Sequence, residues 1–482
     1  MLRFLVISLT ILICNSGNAQ EVVISDFEKL SGNLPFMKIL GKNKMGTLVY
    51  RFGHGSDLIF AYDDELNLIW KKSISFKQKG AMVLKNILMP QTLVVLYSLK
   101  NKKEAALLVQ EVEGNFEFNS APVFVDSLYD IKPNDIKVEL SKDKRRILIY
   151  YIVEEKSGKR TVKAVMMDHD LTVLTRATID LPKKDVPTQV SEINISNDGN
   201  IVIVVSDDIK GSRKQFRENT KWIYLYDTES SMIDEIIVKR HETYLTDMSI
   251  EFDNINKTLI ITGFFTTPEE NTFAGLFFKV LDLVSKEYLH DEFQKINPDD
   301  LEDLSAGFNR NKQLMLATFK VKDIIVRNDG GAIVVAESFY TTSETRSVPG
   351  YYPSMFYSTV TYTYYYFNDI IVFSIHPHGQ IHWSKVIKKN QVSEGDGGFY
   401  SSYYLSFNRS NMHIIFNEDP VNRSNVMDYA LNGLGKVDKK LLINTSTKDL
   451  MLIPKLGKQT ASNEIIIPSI FRGKLRLVKF RF

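Results

Sequence analysis

A ten-residue pattern recurs seven times along the chain, and it limits the possible folds more than any other feature of the sequence. Each copy has an apolar strand end, an acidic or polar residue two positions later, a tight turn and a large residue at the far side. The copies occupy residues 61–70, 109–118, 166–175, 225–234, 280–289, 374–383 and 430–439. Their starts lie about 50–60 residues apart, with one longer gap, and such a period is typical of repeat architectures.

The sequence between two copies predicts four short antiparallel strands. In the third unit these strands cover residues 135–140, 146–153, 161–167 and 174–179. Turns such as Ser-Asn-Asp-Gly-Asn at 196–200 supply the positive φ that tight hairpins need, and an apolar run follows each of them. Four strands per unit are one blade of a β-propeller, so we expect an all-β fold.

The two chain ends set the number of blades. Three strand-like runs follow the seventh pattern, at residues 449–454, 464–469 and 474–480, and residues 21–26 form another such run near the start. Pairing the first run with the last would close the ring without leaving an open sheet edge. We therefore predict a single propeller over residues 20–482 with eight four-stranded antiparallel blades, the last one completed by the N-terminal strand. Seven blades is the alternative.

Residues 1–19 have the features of a secretory signal peptide. Arg3 precedes an apolar run at 4–13, and the small residues Gly17 and Ala19 suit cleavage before Gln20. The alternatives are an N-terminal anchor helix, for which the run is short, and a lipoprotein modified at Cys14, for which Ile13 is not the small residue required. Cys14 is the only cysteine, so the mature chain would contain no disulfide.

Charge and hydropathy narrow the partners and the location. The chain has 60 Lys and Arg against 58 Asp and Glu, dispersed along the sequence, so we expect no nucleic-acid partner. No later run is long and apolar enough to predict a transmembrane segment in the mature chain. We expect an exported protein, periplasmic or associated with the cell surface.

One segment of unusual composition is the main candidate for binding. The gap between the fifth and sixth patterns contains a polar insertion at about 297–311 and an aromatic loop at 347–368, which has nine aromatic residues and no charge. Exposed aromatic patches usually have a partner, so we predict binding through this loop. The alternatives are that 359–367 is only a strand extension packed on its own blade, or that the surface binds glycan. The predicted contact residues are Tyr351, Tyr352, Phe356, Tyr357, Tyr364 and Tyr366.

The sequence contains no strong catalytic or metal-binding signature. His376, His378 and His382 lie close together, but His376 occupies the position that Asp63, Asp168, Asp227 and Asp282 hold elsewhere, so these histidines are only weak metal candidates. We expect no metal and no cofactor. The aspartates are expected to accept hydrogen bonds from turn amides. Catalysis would require acidic or histidine side chains with shifted pKa values that converge at the channel mouth.

Ala61, Asp63 and Trp70, with Trp383 in a later copy, give the pattern a resemblance to the blades of quinoprotein-like (PQQ-type) propellers. The turns at 196–200 are similar to those of WD-repeat and TolB-like propellers. The resemblance implies the fold only, since the Thr-Gly turn of quinoprotein blades is absent and the mature chain has no adjacent cysteine pair for a quinone. The N-terminal segment, ending in Asn-Ala-Gln, resembles those of exported proteins of Bacteroidota-type bacteria.

These observations predict a non-enzymatic interaction platform in the bacterial cell envelope, with another envelope protein as the partner. The alternative is a propeller that binds carbohydrate, or acts on carbohydrate or peptide, at the channel mouth. Propellers support both classes of function, so the fold alone does not decide between them.

Overall fold

Eight antiparallel sheets account for the strands of the protein. The computed structural model describes residues 21–30, 36–53, 56–74, 80–101, 104–112, 121–129, 135–207, 219–267, 275–296, 318–349 and 357–482. The predicted signal peptide and the polar insertion at 297–311 lie outside these ranges.

The sheets are the blades of a β-propeller, which we number 1–8 along the chain. The chain starts with β1 (Glu21–Ile24) and β2 (Glu28–Lys29). Blade 1 contains β3 (Phe36–Asn43), β4 (Gly46–Gly53), β5 (Ser56–Tyr62) and β6 (Leu68–Ser73); blade 2 contains β7 (Ala81–Leu88), β8 (Leu93–Asn101), β9 (Glu104–Val112) and β10 (Val123–Tyr129). Blade 3 contains β11 (Lys137–Leu140), β12 (Arg146–Glu154), β13 (Arg160–Asp168) and β14 (Val173–Leu181); blade 4 contains β15 (Thr188–Ile195), β16 (Ile201–Asp207), β17 (Lys221–Tyr226) and β18 (Ile233–Val238).

The second half of the chain continues the same plan. Blade 5 contains β19 (Tyr244–Leu245), β20 (Ser249–Asp253), β21 (Thr258–Thr266), β22 (Gly275–Asp282) and β23 (Tyr288–Lys295). Blade 6 contains β24 (Phe319–Val326), β25 (Ala332–Pro349), β26 (Tyr357–Ile375), β27 (Ile381–Ile387) and β28 (Gln391–Glu394). Blade 7 contains β29 (Tyr404–Phe407), β30 (Asn411–Asn417), β31 (Asn425–Asn432) and β32 (Val437–Asn444); two 3₁₀ turns, Thr445–Thr447 and Pro454–Leu456, lead to β33 (Lys458–Ala461), β34 (Glu464–Phe471) and β35 (Lys474–Arg481).

The N-terminal strand completes blade 8, as predicted. β1 pairs antiparallel with β35, from Glu21 opposite Arg481 to Ile24 opposite Val478, so the sheet order is β1-β35-β34-β33. The strand predicted at 449–454 is wrong, because Leu452 makes only an isolated bridge with Ser469 and Pro454 starts a 3₁₀ turn. Its apolar side chains are core residues, and β33 takes the first place in the blade.

Apolar side chains packed between neighbouring blades close the ring. Eight buried clusters occur among the described residues, one for each pair of adjacent blades, including the pair formed by blade 8 and blade 1. In that last cluster Ile466 and Leu475 of blade 8 pack with Met37, Ile39 and Val49 of blade 1. The count of eight blades is therefore confirmed, and the alternative of seven is excluded.

The blades present two different faces. Because the strands alternate in direction, the first-to-second and third-to-fourth turns of each blade lie at one end, which we call the turn face. The second-to-third hairpins and the connections between blades lie at the other end, which we call the loop face. The aspartates of the repeat act as predicted on the turn face: Asp63 Oδ1 accepts from the amides of Glu65 (2.9 Å) and Asn67 (2.8 Å), and Asp282 Oδ1 accepts from those of Val284 (2.8 Å) and Ser285 (2.7 Å).

Candidate functional site: the blade 6 hairpin and the central channel

The central strands of blade 6 extend past their own sheet on the loop face. β25 pairs with β24 only as far as Ser338 opposite Phe319. After a register shift, β25 and β26 continue as a two-stranded ribbon from Phe339 opposite Phe367 to Pro349 opposite Tyr357. We call residues 339–349 and 357–367 the hairpin. Near its base β28 adds a third strand, with Glu394 opposite Tyr364 and Gln391 opposite Phe367.

The register divides the hairpin into two faces of different chemistry, since side chains alternate along each strand. One face, the tyrosine face, carries Tyr340, Thr342, Glu344, Arg346, Val360, Tyr362, Tyr364 and Tyr366. The opposite face, the threonine face, carries Thr341, Ser343, Thr345, Thr359, Thr361, Thr363 and Tyr365. The alternative that residues 359–367 extend a strand is therefore correct for the secondary structure of that segment. On the tyrosine face the four tyrosines are half-buried, whereas Thr342, Glu344, Arg346 and Val360 are exposed.

The tyrosines of this face partly cover one another. The rings of Tyr340 and Tyr366 stack at 4.5 Å with an interplanar angle of 7°. The Arg346 guanidinium lies 5.2 Å from the centre of the Tyr362 ring, and Arg346 Nη2 donates to the Tyr364 hydroxyl at 3.4 Å and to Glu344 Oε2 at 2.7 Å. Mutual stacking limits the cost of exposing the rings to water and leaves flat apolar surface with polar rims. The face thus has the composition of a protein-binding surface.

Two contacts anchor the root of the hairpin. Phe339 and Phe367 pack at 4.6 Å. On its other side the Phe367 ring lies against Gly398, where a Cβ atom would come within 2.2 Å of Phe367 Cε2. Gly398 has φ of +65°, a conformation that glycine adopts without strain. This close approach holds the ribbon against the connection that leads to blade 7.

A fully buried ion pair lies beneath the root. Lys389 Nζ is 2.8 Å from Glu337 Oε1, and both side chains are completely inaccessible to water. Lys389 Nζ also donates to the Phe367 carbonyl (2.9 Å) and to Gln391 Oε1 (3.1 Å), and Ser402 Oγ donates to Glu337 Oε2 (2.7 Å). Burial lowers the pKa of Lys389, and the Glu337 carboxylate opposes that shift. The pair ties β25 and β26 to the segment between β27 and β28.

The predicted contact residues are distributed unevenly over these features. Tyr364 and Tyr366 lie on the tyrosine face, and Tyr357 opens β26. Tyr351, Tyr352 and Phe356 lie outside the described residues, so their role as contacts stays a prediction. The sequence prediction omitted Tyr340 and Arg346. Both residues lie before the uncharged aromatic segment, and only the pairing register places them beside its tyrosines.

The three candidate histidines lie at the opposite end of β26, on the turn face. The His376 ring is 4.6 Å from that of His382 and 5.2 Å from that of His378. Burial lowers the pKa of His376, and the other two rings add to the shift. Within the part of the chain that the structure describes, no group of three or more His, Cys, Asp or Glu side chains is arranged to hold a metal ion.

Charged side chains of opposite sign line the central channel. The first strand of each blade is innermost, since β3 contacts β33 and β7, and β11 contacts β15. Glu139, Glu192 and Glu251 occupy these strands in blades 3, 4 and 5. Lysines occupy the corresponding strands of blades 8, 1 and 2; they are Lys458, Lys38 and Lys85. Glutamates therefore line three consecutive blades of the channel wall, and lysines line three other consecutive blades.

Burial is the main cause of the raised pKa values of the channel glutamates. The pKa of Glu192 is raised to about 7, mainly by burial; a hydrogen bond from Asn194 Nδ2 (2.7 Å) opposes the shift, and the nearby charge of Glu251 adds to it. Burial also raises the pKa of Glu251, whose Oε1 lies 3.2 Å from Lys142 Nζ. Glu192 and Glu251 both line a cavity of about 370 Å³ on the innermost strands of blades 4–7. Sequence reasoning did not identify them, because they are more than fifty residues apart in the chain and no local motif marks them.

A cavity of about 480 Å³, lined by blade 7 and by Phe482 after the last strand of blade 8, has a buried His–Asp pair in its wall. The amides of Ser410 and Asn411 donate to Asn408 Oδ1, which sets the orientation of the Asn408 amide group. Asn408 Nδ2 therefore donates to His413 Nε2 at 2.9 Å. The proton of the neutral ring is then on Nδ1, which donates to Asp428 Oδ2 at 2.8 Å. His413 also stacks on Phe482 at 4.4 Å, so this pair joins the two blades.

Comparisons with known proteins identify no family for this chain. No protein-family profile matches the sequence, and no curated protein matches it. Among solved structures, it is similar to the WD40 domain of SCAP from fission yeast, with 11% identity, a TM-score of 0.38, and coverage of 96% of this chain and 98% of that one. It is also similar to the Nup133 β-propeller domain of Vanderwaltozyma polyspora, with 10% identity, a TM-score of 0.39, and coverage of 82% and 100%.

An enzyme is also among the similar structures. Prolyl oligopeptidase B from Galerina marginata has 9% identity, a TM-score of 0.40, and coverage of 92% of this chain but only 55% of that protein. The blades and their closure define the class of this protein, a β-propeller. No helix of the described residues is long and apolar enough to cross a membrane.

Proposed function

We propose that this protein is an exported, non-enzymatic interaction platform of the bacterial cell envelope, which binds another envelope protein through the tyrosine face of the blade 6 hairpin. One observation carries the proposal. Strands β25 and β26 continue beyond their blade as a ribbon with one face that is rich in tyrosine and partly exposed. Aromatic anchors on a rigid scaffold supply most of the affinity in many protein interfaces.

The anchoring of the root supports a binding role. A ribbon held by Phe367 against Gly398, above the buried Glu337–Lys389 pair, loses little conformational entropy when a partner binds. Tyrosine side chains have few rotatable bonds and add to this preorganisation. Polar groups at the rim, such as the Arg346 guanidinium and the tyrosine hydroxyls, would give the contact its orientation.

A face-specific substitution tests the proposal. Tyr362, Tyr364 and Tyr366 are replaced together by serine, and the matched control replaces Thr359, Thr361 and Thr363 on the opposite face of the same strand by alanine. We expect the control and the parent protein to recover the same partner from native envelope extract, identified by mass spectrometry, and the tyrosine variant to lose it. Equal recovery by both variants would remove the proposal, and retention on envelope polysaccharide instead would indicate a glycan ligand.

Export is the second part of the proposal. Cleavage before Gln20 would leave β1 intact, because that strand starts at Glu21. The mature chain could therefore still close its last blade. We expect the protein purified from the envelope fraction to give Gln20 as its N-terminal residue. Recovery of Met1, or of the protein in the cytoplasmic fraction, would contradict export.

The channel favours a second candidate function, an enzyme acting on carbohydrate or peptide. Glu139, Glu192 and Glu251 lie on three consecutive innermost strands, and burial raises the pKa of each of them. A carboxyl group that remains protonated near pH 7 is suited to act as a general acid. The test is hydrolysis of envelope polysaccharides and peptides by the mature protein and by its Glu192→Gln variant. Absence of hydrolysis by the parent protein, or equal rates for the two, would dismiss this candidate.

A further inference from the structure

The outer edge of the hairpin has unpaired backbone groups. The amide of Phe339 donates to the Thr318 carbonyl at 3.1 Å, on the side away from β26. The pairing of β25 with β26 is then regular from Phe339 to Pro349. The N–H and C=O of one strand residue point to the same side of the strand, and those of the next residue point to the opposite side. The backbone groups of Thr341, Ser343, Thr345 and Ser347 therefore point to the same edge as the amide of Phe339. None of these backbone groups has a hydrogen-bond partner among the described residues.

Such an edge is a template for another strand. Natural sheets usually protect exposed edges with bulges, prolines or several charges. Beyond the register shift at its root, this edge is straight over residues 339–349, and Pro349 is the only proline in that stretch. The residues 341–347 that present these groups are all exposed.

The charges on the edge strand are self-complementary. Glu344 and Arg346 are the only charged residues in 339–349, and they flank Thr345 symmetrically. If two copies of this strand pair antiparallel with Thr345 opposite Thr345, each Glu344 lies opposite Arg346 of the other copy. In that register Ser343 of each copy lies opposite Ser347 of the other. The outward-facing N–H and C=O groups of residues 343, 345 and 347 can then form hydrogen bonds across the contact. Glu344 and Arg346 then form a non-hydrogen-bonded pair, in which side chains approach most closely.

We propose that the protein forms a two-fold symmetric dimer by antiparallel pairing of the β25 edge, centred on Thr345. The contact is isologous, since the same edge serves both subunits. It joins two hairpins into one continuous sheet. A two-fold axis perpendicular to this sheet places both tyrosine faces on the same side. The dimer thus offers a doubled tyrosine surface, and its formation does not depend on which partner that surface binds.

The oligomeric state of the mature chain tests this pairing. We expect a concentration-dependent dimer in sedimentation equilibrium and in light scattering. Glu344→Arg places like charges opposite one another across the axis, and we expect it to weaken dimerisation at least tenfold. The double variant Glu344→Arg with Arg346→Glu restores opposite charges in the same register, so dimerisation should return. A monomeric parent protein, or a Glu344→Arg variant that dimerises as well as the parent, would overturn the proposal.

A backbone substitution provides an independent test. Thr345→Pro removes an outward-facing amide that has no partner inside the subunit, and edge positions tolerate proline. We expect a folded monomer, with the thermal unfolding midpoint of the parent protein. Should this variant misfold, the charge-exchange pair still decides the question, because both of its members keep every backbone amide. A folded double charge variant that stays monomeric would reject the register.

Discussion

The hairpin and the central channel both concentrate candidate functional side chains, yet they are assembled in opposite ways. The hairpin takes its tyrosines from one stretch of chain, and local alternation sorts them onto one face. The channel takes one glutamate from each of three blades, and only the packing of neighbouring blades brings these residues together. A local surface can be found from composition, whereas a site built by a ring can be found only from the fold.

The two regions also differ in how they are stabilised. Phe367, Gly398 and the Glu337–Lys389 pair hold the root of the hairpin, so its position depends on them. The channel wall belongs to the propeller itself, so the packing of blades sets its geometry. Its buried glutamates lower the stability of the protein when they are ionised. Substitutions should therefore act on packing at the hairpin root and on protonation in the channel.

The largest effect is expected at the buried ion pair. Lys389→Met leaves the Glu337 carboxylate buried without its cation, and breaking such a pair typically costs about 3–5 kcal/mol of unfolding free energy. Chemical denaturation measures this loss. The double variant Glu337→Gln with Lys389→Met removes both charges, and we expect it to recover part of the stability. A Lys389→Met protein as stable as the parent would show that the pair does not hold the root.

The second-largest effect is expected at Gly398, and comparison with the neighbouring Gly397 distinguishes overpacking from backbone strain. Gly397 and Gly398 both have positive φ, but a Cβ at Gly397 meets open space, whereas one at Gly398 meets the Phe367 ring. We expect Gly397→Ala to cost about 1–2 kcal/mol from the left-handed backbone alone. Gly398→Ala should cost about 1–3 kcal/mol more, since it overpacks the root. Equal losses of unfolding free energy would mean that Phe367 moves aside freely.

The third effect concerns the channel and depends on pH. Burial raises the pKa of Glu192 from 4.5 to about 7, so between these values the folded protein binds more protons than the unfolded chain. The contribution of Glu192 to stability therefore falls as pH rises from about 4.5 to 7. Glu192→Gln removes this penalty. We expect its stability to match the parent below pH 4.5 and to exceed it by about 1–3 kcal/mol at pH 8. Parallel curves of unfolding free energy against pH would contradict the raised pKa.

The comparison also explains what the sequence could predict. The recurring turn aspartates, such as Asp63 and Asp282, predicted the blades, because their hydrogen bonds are local. The closing strand was predictable because the last unit had only three strand-like runs and the run at 21–26 belonged to no other unit. Tyr340 and Arg346 were missed because they precede the aromatic run in sequence. Glu192 was missed because its neighbours in the channel come from other blades. Contacts set by distant pairing have no local signature.

The smallest effect on stability is expected on the tyrosine face, where the effect on binding should be largest. Tyr340→Ala removes the stack on Tyr366, and such pairs contribute about 0.5–1.5 kcal/mol. Thr341→Ala, one residue along on the threonine face, should change stability by less than about 0.5 kcal/mol. Denaturation and partner capture are measured on both variants. Because the tyrosine face lies outside the propeller core, we expect Tyr340→Ala to impair capture far more than its small loss of stability can explain. If Tyr340→Ala lowers stability but captures the partner normally, the tyrosines stabilise the hairpin and do not bind the partner.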